Sequence, residues 1–554
     1  MATTPTSAKR EVFTGRSAFI FAAVGSAVGL GNIWRFPYVA YENGGGAFII
    51  PYLVALVTAG IPLLFLDYVL GHRYRASPPL ALRSMSRFTE PLGWLMVLIP
   101  FVIAIYYAAI IGWAMSYFVF SFTTAWGSDP EAFLFGDYLQ FNGEYTLTSP
   151  FVPGVLIPMV IVWVVTLAVL LLGVQNGIGR FNMIFIPLLV VVFLGLCVRS
   201  LTLEGAMVGL DAFFRPDFEA LSNPSVWVAA YGQIFFSLSV MLGAMLTYAS
   251  YLKRRTNLTG SGLVVGFSNS AFEILAGITV FGALGFMAVQ AGVNVDEVAA
   301  GGIGMAFIAF PTLINEMAGG PIFGALFFGS LVFAGLTSLI SLAQVPIATI
   351  RDKTGMGDRT STLVVGGLMA LASCATMPTM AGLNLLDVVD AFVNTVGIVG
   401  IALLACILVA WVARKLPLLR DHLNAVSSFK LGWYWMACVG FITPVVLGYM
   451  FFSGTSKLVT DGYGDMPSWY VGAFGWGTIG ALIVAALILS LTPWPQRSID
   501  RVRDAQARFE AEAGPAIPAA GQRDLGTQEH PTQHDARATD TGATRTDAQE
   551  GGRP

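Results

Sequence analysis

The feature that most constrains this chain is residues 25–37, GSAVGLGNIWRFP, which lie inside the first long apolar segment. Gly29 and Gly31 weaken a helix at this point, while Asn32 and Arg35 bring an amide and a charge into apolar surroundings. In hydrocarbon, backbone without helical hydrogen bonds is tolerated only where protein buries it or where it lines a wet cavity. The stretch therefore predicts a discontinuous membrane helix, the element on which secondary transporters build their binding sites.

The composition sets the class of protein. Of the 554 residues, 55% are hydrophobic and only 11% are charged, which is typical of an integral membrane protein. The net charge of −3 favours no nucleic-acid partner. The four cysteines lie in apolar stretches without the spacing of metal ligands, so we interpret them as packing residues.

Twelve segments are long and apolar enough to cross a bilayer, so an all-α polytopic membrane protein with twelve transmembrane helices is predicted. Their approximate bounds are 17–41, 47–70, 91–122, 151–173, 178–201, 225–251, 260–291, 321–350, 362–377, 383–413, 433–452 and 469–491. With the N-terminus in the cytoplasm, the outer loops carry only Arg199, Arg215 and Lys457 among the basic residues. This asymmetry supports both the count and the orientation.

The charge pattern also divides the chain into three parts. We predict a cytoplasmic N-terminus over 1–16, a transmembrane domain over 17–492 and a cytoplasmic tail over 493–554. A short charged helix is expected from residue 497 to about 512. Beyond it, the near absence of large apolar side chains predicts disorder, because the segment buries too little surface to offset its ordering entropy.

A second interrupted segment occurs in the sixth span, at residues 232–243, GQIFFSLSVMLG. Spans one and six occupy equivalent positions if spans one to five and six to ten are two inverted halves. A pair of interrupted segments at matching positions indicates a transport site near the midplane of the membrane. Close packing of helices through small residues is the alternative, but it does not explain Asn32 and Arg35.

Several neutral oxygen donors accompany the two breaks. They are Asn32, Ser237, Asn269, Thr337 and Ser338. A Ser or Thr within a helix usually bonds back to the preceding turn, so each alone means little. The two breaks also provide free helix ends, which offer carbonyls to a cation and N–H groups to an anion. The five side-chain donors and these helix ends together predict a cation cage.

Longer motifs resemble the neurotransmitter:sodium symporter family, which includes the bacterial leucine transporter. The resemblance covers nearly all of residues 10–491. Besides residues 29–37, it rests on 42–48 (ENGGGAF), 105–107 (IYY), 233–239 (QIFFSLS), 247–251 (TYASY) and 333–338 (FAGLTS). It implies an inverted five-plus-five repeat with discontinuous helices 1 and 6 and two further helices.

The resemblance also implies which residues bind ions and substrate. Sodium site 1 would be formed by Ala27, Asn32, Ser237, Asn269 and the substrate carboxylate, and sodium site 2 by Gly25, Val28, Ala334, Thr337 and Ser338. Because the substrate is itself a ligand of site 1, ion and substrate would strengthen each other's binding. The substrate site would be formed by Ala27, Leu30, Gly31, Ile103, Tyr107, Phe236, Ser237, Ser239, Met241, Leu242, Ser338 and Leu342.

The same resemblance implies which residues form the gates and which residue supplies a fixed negative charge. Arg35 and Asp390 would form the outer gate under the roof of Phe236, and Arg10 with Asp352 the inner gate. Glu273 stands where chloride-requiring relatives carry a neutral Ser, so its carboxylate would replace chloride and no chloride requirement is expected. Asp67, also embedded in the membrane, is interpreted as a structural hydrogen-bond anchor.

The predicted function is sodium-coupled import of a neutral, hydrophobic amino acid across the cell membrane by alternating access. The predicted pocket is apolar without a buried counter-charge, which disfavours acidic or basic cargo. An amino-acid sensor and an ion channel remain alternatives, and the oligomeric state and exact substrate stay open. An enzyme is not expected, since the sequence contains neither H-E-x-x-H nor G-x-x-x-x-G-K-[ST].

Overall fold

The computed structural model describes residues 11–146, 149–299 and 301–513. Within these ranges the regular structure is helical, and β-pairing is confined to two isolated antiparallel bridges, Gly45 with Pro216 and Phe151 with Thr379. This confirms the predicted all-α class. The predicted disordered segment 514–554 and the first ten residues lie outside the described part of the chain.

The helices follow the predicted spans closely. In chain order they are α1 (Arg16–Ala27), α2 (Leu30–Glu42), α3 (Gly46–Tyr74), α4 (Pro78–Met85), α5 (Arg87–Phe120), α6 (Pro153–Leu171), α7 (Val174–Leu201), α8 (Ala206–Phe214), α9 (Pro224–Ser237), α10 (Ala244–Ala249), α11 (Leu258–Ala291), α12 (Gly302–Glu316), α13 (Gly320–Thr354), α14 (358–376), α15 (Gly382–Val412), α16 (Leu416–Val426), α17 (Trp433–Thr460), α18 (Ser468–Leu491) and α19 (Gln496–Ala513). Short helical segments lie at Pro130–Ala132, which continues as Phe133–Tyr138, and at Glu219–Ser222 and Val295–Val298.

The number of spans agrees with the prediction only in part. Nine described helices are long and apolar enough to cross a membrane, and the bent pair α1–α2 makes a tenth. The predicted sixth span is divided between α9 and α10, each too short to cross alone, because its backbone leaves the helix between them. The predicted ninth span is helical as α14 but is not among these ten.

Small residues bring the central helices close together. A Cβ added at Gly71 of α3 would lie 2.0 Å from the Leu246 carbonyl oxygen of α10, so only glycine fits this contact. A Cβ at Gly335 of α13 would lie 2.6 Å from Cγ1 of Ile111 in α5. Close approach through small residues is the usual way membrane helices gain packing energy. It places α3 against α10, the second half of the broken sixth span, and α13 against α5.

Candidate functional site

The first break separates α1 from α2. α1 ends at Ala27, α2 begins at Leu30, and the two axes are bent by 54°. Val28 (φ −76°, ψ 99°) and Gly29 (φ −124°, ψ −167°) between them are extended. Carbonyls at the end of α1 and N–H groups at the start of α2 are therefore released from helical hydrogen bonds. The discontinuity predicted within residues 25–37 is confirmed.

The second break lies between Ser237, the last residue of α9, and Ala244, the first of α10. Ser239 (φ 49°), Met241 (φ 60°) and Gly243 (φ 73°) adopt left-handed backbone conformations. A residue other than glycine in this region costs on the order of 1 kcal/mol and persists only where its surroundings hold it. Two such residues within three positions indicate a segment fixed by tertiary contacts.

Two of those contacts are side-chain hydrogen bonds. The carboxylate of Asp67, which is completely buried in α3, accepts the Met241 backbone N–H at 2.8 Å. The Ser239 hydroxyl donates to the Ser26 carbonyl oxygen of α1 at 3.2 Å and so joins the two breaks. The interpretation of Asp67 as a hydrogen-bond anchor is confirmed, and the group it anchors is the broken helix itself.

A chain of buried amides connects the breaks to α11. Asn32 accepts the Gly29 N–H at 2.8 Å and donates to Oδ1 of Asn269 at 2.9 Å. Asn269 in turn donates to the Ser237 hydroxyl at 3.0 Å. Ala27 and Ser237 each end a helix, so their carbonyls lack intrahelical donors. The residues predicted for sodium site 1 thus present several neutral oxygens, the donor type that hard cations require.

The residues predicted for sodium site 2 also meet. The Ser338 hydroxyl donates to the Gly25 carbonyl oxygen at 3.3 Å, and Thr337 donates to the Ala334 carbonyl oxygen at 2.9 Å. Val28 is the C-cap of α1, and its extended backbone turns its carbonyl away from the helical ladder. These contacts join α1 to α13, so a cation held here would fix the two helices together.

A cavity of about 740 Å³ lies where the two breaks face each other. Apart from Met241, the predicted substrate residues line it: Ala27, Leu30, Gly31, Ile103, Tyr107, Phe236, Ser237, Ser239, Leu242, Ser338 and Leu342. The charged residues in its lining are Arg35, Asp387 and Asp390. The rest of the lining combines apolar side chains with hydroxyl and amide groups.

The structure corrects the expectation for Met241. This residue is 1% exposed and lies outside the lining of the cavity. Its left-handed backbone directs its N–H to Asp67, behind the break, while Ser239 and the neighbouring Leu242 line the cavity. Which side chains of an irregular segment point into a cavity depends on the backbone angles of that segment, and the sequence did not reveal these angles.

The start of α2 forms the polar end of the cavity. The Leu30 N–H donates to the Tyr107 hydroxyl at 3.3 Å. A Cβ added at Gly29 would lie 3.0 Å from the Ser338 hydroxyl and 3.2 Å from the Tyr107 hydroxyl. Free N–H groups at a helix N-terminus carry a partial positive charge and favour a carboxylate. This is the arrangement predicted for the substrate carboxylate.

Glu273 lies next to the amide chain, on α11, and is completely buried. Its carboxylate accepts hydrogen bonds from the Tyr52 hydroxyl and, at 2.6 Å, from Nε2 of Gln233. Tyr52 is also 2.8 Å from the Ser270 hydroxyl. The structure therefore places the Glu273 carboxylate between two buried hydrogen-bond donors, Tyr52 and Gln233.

The predicted outer-gate residues occupy the same cavity. The Arg35 guanidinium lies 4.7 Å from the centre of the Phe236 ring, and Asp390 accepts from Nδ2 of Asn394 at 2.8 Å. In the described part of the chain, no ion pair of 4.0 Å or less joins Arg35 to Asp390. Both charged side chains line the same cavity.

The predicted inner gate is described only on its acidic side, because Arg10 lies outside the described residues. The Asp352 side chain is completely buried and accepts the Ser77 N–H at 3.0 Å and Nη2 of Arg501 at 2.8 Å. Arg501 belongs to α19, near the end of the described chain. Its approach to Asp352 was not foreseen from the sequence.

A family model of the sodium:neurotransmitter symporters matches residues 10–142 and 146–495. The chain belongs to this family. It is a sodium-dependent membrane transporter, and its relatives are transporters, not enzymes.

Individual relatives agree with this assignment. An uncharacterized sodium-dependent transporter of Methanocaldococcus jannaschii is 38% identical over 87% of this chain and 97% of its own length. The human sodium- and chloride-dependent creatine transporter 1 is 30% identical over 84% of this chain and 80% of its own. The crystal structure of MhsT in complex with L-phenylalanine has a TM-score of 0.67 and is 30% identical, covering 80% of this symporter and 100% of MhsT.

One segment that lines the cavity of the symporter was not predicted from the sequence. It lies at the start of α12, next to α2. Gly301, Gly302, Ile303 and Gly304 all line the cavity, together with Leu386 of α15. A Cβ added at Gly301 would lie 2.9 Å from Cδ1 of Tyr38, so glycine permits this close approach. The adjacent glycines were the available signal, but their distance in sequence from both breaks concealed their role.

Replacing Gly31 tests the packing of the two breaks against each other. A Cβ at Gly31 would lie 2.2 Å from Cε1 of Phe236, so this ring, which lines the cavity, would have to move. We therefore expect Gly31→Val to lower sodium-driven uptake by at least about tenfold, since overpacking of this kind costs roughly 1–3 kcal/mol. The measurement is initial uptake in proteoliposomes. Gly480→Val, at a position with no neighbour within 4 Å of the added Cβ, is the control, and equal activity of both variants would contradict the packing.

Proposed function

We propose that this symporter imports a neutral, hydrophobic amino acid together with Na⁺ across the cell membrane by alternating access. The observation that carries the proposal is one cavity on which both broken helices converge, with the N-terminus of α2 and the Tyr107 hydroxyl at one end and apolar side chains around most of the rest. A zwitterion fits this arrangement, because the start of α2 receives its carboxylate and helix-end carbonyls receive its ammonium.

The lining disfavours a charged side chain on the substrate. Ile103, Leu242 and Leu342 surround the part of the cavity below Phe236, and each is at most 7% exposed. A charge buried among them without a partner would cost several kcal/mol. The acidic residues of the cavity are on α15: Asp390 belongs to the proposed outer gate with Arg35 of α2, and Asp387 accepts the Tyr463 hydroxyl. The complex of MhsT with L-phenylalanine, a neutral and hydrophobic amino acid, is consistent with this substrate class.

Two sodium ions are proposed, one at each cluster of oxygens. Site 1 uses the amide chain and the carbonyls that end α1 and α9, and the substrate carboxylate completes it. Site 2 lies between α1 and α13, which Ser338 joins through its hydrogen bond to the Gly25 carbonyl, and Thr337 adds a hydroxyl from α13. Loss of the second ion would free α1 from α13 and so favour the state that opens to the cytoplasm. Chloride is not required in this proposal, because Glu273 supplies the negative charge.

The remaining predictions about topology are part of the same proposal. The distribution of basic residues supports twelve spans, a transmembrane domain over 17–492 and cytoplasmic termini. Two inverted repeats of five and a plasma-membrane location complete the proposal. The break of α9–α10 accounts for the sixth span, which crosses as two pieces.

Reconstitution tests the function directly. Purified protein in liposomes is given an inward Na⁺ gradient and a panel of labelled amino acids, with equal Na⁺ on both sides and K⁺ replacement as controls. We expect transient accumulation of a neutral, hydrophobic amino acid only with the gradient. Uptake that ignores the gradient would refute symport, and preference for an acidic or basic amino acid would refute the substrate class.

The size of the side-chain pocket gives a further prediction. Leu242→Ala removes three carbon atoms from the cavity wall, so larger aromatic substrates gain room while smaller ones lose contacts. We expect the ratio of kcat/KM for an aromatic over an aliphatic amino acid to rise about tenfold, since such changes are worth roughly 1–3 kcal/mol. Leu404→Ala, at an exposed position of α15, is the control. An unchanged ratio would show that Leu242 does not border the substrate.

A further inference from the structure

One residue that lines the cavity, Ser26, was not predicted from the sequence as a site residue. It is the next-to-last residue of α1 and is 3% exposed. In the first span it precedes all other lining residues, whereas Arg35 lies beyond the break on α2. On the facing helix α13, Leu342 follows all other lining residues. Ser26 and Leu342 therefore lie at the end of the cavity away from the proposed outer gate.

The proton of the Ser26 hydroxyl is directed into the protein. This hydroxyl lies 2.8 Å from the hydroxyl of Ser341 on α13, which in turn lies 2.8 Å from the Ser338 carbonyl oxygen. A hydroxyl has one proton, and a carbonyl only accepts. Both contacts are therefore hydrogen bonds only when Ser341 donates to the carbonyl and Ser26 donates to Ser341. The Ser26 oxygen keeps its capacity to accept a hydrogen bond.

Other hydroxyls of the lining are arranged in the same way. The Ser239 hydroxyl donates to the Ser26 carbonyl oxygen at 3.2 Å, and the Ser338 hydroxyl donates to the Gly25 carbonyl oxygen at 3.3 Å. Among the described residues, no group donates a hydrogen bond to the Ser26 hydroxyl oxygen. This part of the cavity therefore favours a ligand group that donates a hydrogen bond.

The ammonium of a bound amino acid does not account for the Ser26 oxygen. In the proposed function the ammonium is received by the carbonyls that end α1 and α9, at Ala27 and Ser237. The side chain of the substrate is the group that remains. A purely apolar side chain beside Leu342 would cover the Ser26 oxygen without satisfying it, and a buried acceptor without a donor is costly.

We propose that Ser26 is a specificity-determining residue, which selects a neutral amino acid whose side chain carries a hydroxyl. The substrate hydroxyl donates to the Ser26 oxygen, and the apolar part of the same side chain contacts Leu242 and Leu342. The inference rests on the proposed function for the assignment of this cavity to an amino acid. A site that binds a hydroxyl discriminates against the analogue without one, because a buried polar group then stays unpaired.

The test compares amino acids that differ by one hydroxyl. The pairs are tyrosine with phenylalanine, threonine with valine, and serine with alanine, and the measured quantity is kcat/KM of sodium-driven uptake in proteoliposomes. In the wild type, we expect the hydroxylated member of at least one pair to exceed its partner about tenfold. The pair that shows the preference reports the length of side chain that reaches Ser26.

Two variants remove the same hydrogen bond between α1 and α13 but differ in what they leave in the cavity. Ser26→Ala removes the acceptor, so the ratio within the pair should fall to about one. Ser341→Ala leaves the Ser26 oxygen in place, since Ser341 is not a lining residue, and should keep the ratio within about twofold of the wild type. A ratio measured on one preparation does not depend on the fraction of protein that is folded.

Thermal stabilisation gives the same comparison without transport. A ligand that binds the folded state raises the melting temperature, so in Na⁺ the hydroxylated member should raise the Tm of the wild type more than its partner does. The difference should vanish in Ser26→Ala and persist in Ser341→Ala. Ser373→Ala is the control, because it removes a buried hydroxyl that donates to the Ile105 carbonyl oxygen away from the lining. It should match the wild type.

The outcomes separate this inference from the proposed function. If the wild type accumulates amino acids on a Na⁺ gradient but treats both members of every pair alike, the role of Ser26 is refuted and the symporter stands. A preference that survives in Ser26→Ala, or that Ser26→Ala and Ser341→Ala lose equally, would also refute it. If sodium-driven uptake is absent while Ser26→Ala still abolishes the difference in Tm within a pair, the proposed function fails and the assignment of Ser26 remains.

Discussion

Asn32→Ala is expected to abolish sodium-driven uptake, with a loss of at least about 100-fold, because this amide makes two buried hydrogen bonds and is a proposed sodium ligand. Its oxygen accepts the Gly29 N–H, its nitrogen donates to Asn269, and that residue holds the Ser237 hydroxyl. Removal leaves two buried polar groups without partners, at about 1–3 kcal/mol each, and deletes one proposed sodium ligand.

The prediction has a binding readout besides transport. A ligand that binds the folded state raises the melting temperature, so Na⁺ should stabilise the wild type and stabilise Asn32→Ala far less. Asn142→Ala removes an amide that caps a surface turn and should keep the wild-type response. Uptake by Asn32→Ala with an unaltered dependence on Na⁺ would contradict the placement of Asn32 in sodium site 1.

Glu273→Ser is expected to stop uptake in chloride-free buffer and to regain it when chloride is added. The substitution removes a buried negative charge and leaves the Tyr52 hydroxyl and the Gln233 amide as donors around the vacated volume. A small anion that accepts hydrogen bonds fits there. We expect chloride to raise uptake by the variant at least about tenfold, since a charge beside a buried cation is worth more than about 1.4 kcal/mol.

A matched variant distinguishes charge from structure. Glu273→Gln fills nearly the same volume without the charge, so it should be inactive with or without chloride. The wild type should be indifferent to chloride, in contrast with relatives described as sodium- and chloride-dependent. Wild-type uptake by Glu273→Ser in the absence of chloride would overturn the role of Glu273 as the fixed counter-charge.

Much of the site could be predicted because its residues are chemically unusual for a membrane segment. Asn32 and Arg35 in an apolar stretch, the small polar interruptions around Ser239 and a carboxylate at Glu273 each conflict with the hydrocarbon around them. Such conflicts persist in a folded protein only where partners resolve them. The structure supplies those partners within the described chain, including the amide chain from Asn32 to Ser237.

Other features depended on backbone angles or on distant segments. Met241 was expected in the pocket, but a left-handed φ of 60° turns its N–H to Asp67 and leaves Leu242 as the lining residue. The glycines at 301–304 reach the cavity from a segment more than 260 positions after the first break. Neither effect has a periodic signal, because irregular backbone has no fixed alternation of faces.

The amino-acid sequence by itself determined the membrane class and the location of both breaks, and its charges predict the orientation. Hydropathy, charge asymmetry and helix-weakening residues are local properties, so a single chain displays them. Only the tertiary structure decided which atoms meet, such as Glu273 with Gln233 and Arg501 with Asp352. These pairs are 40 and 149 positions apart in the chain. Their energy comes from burial and geometry that exist only after the helices have packed.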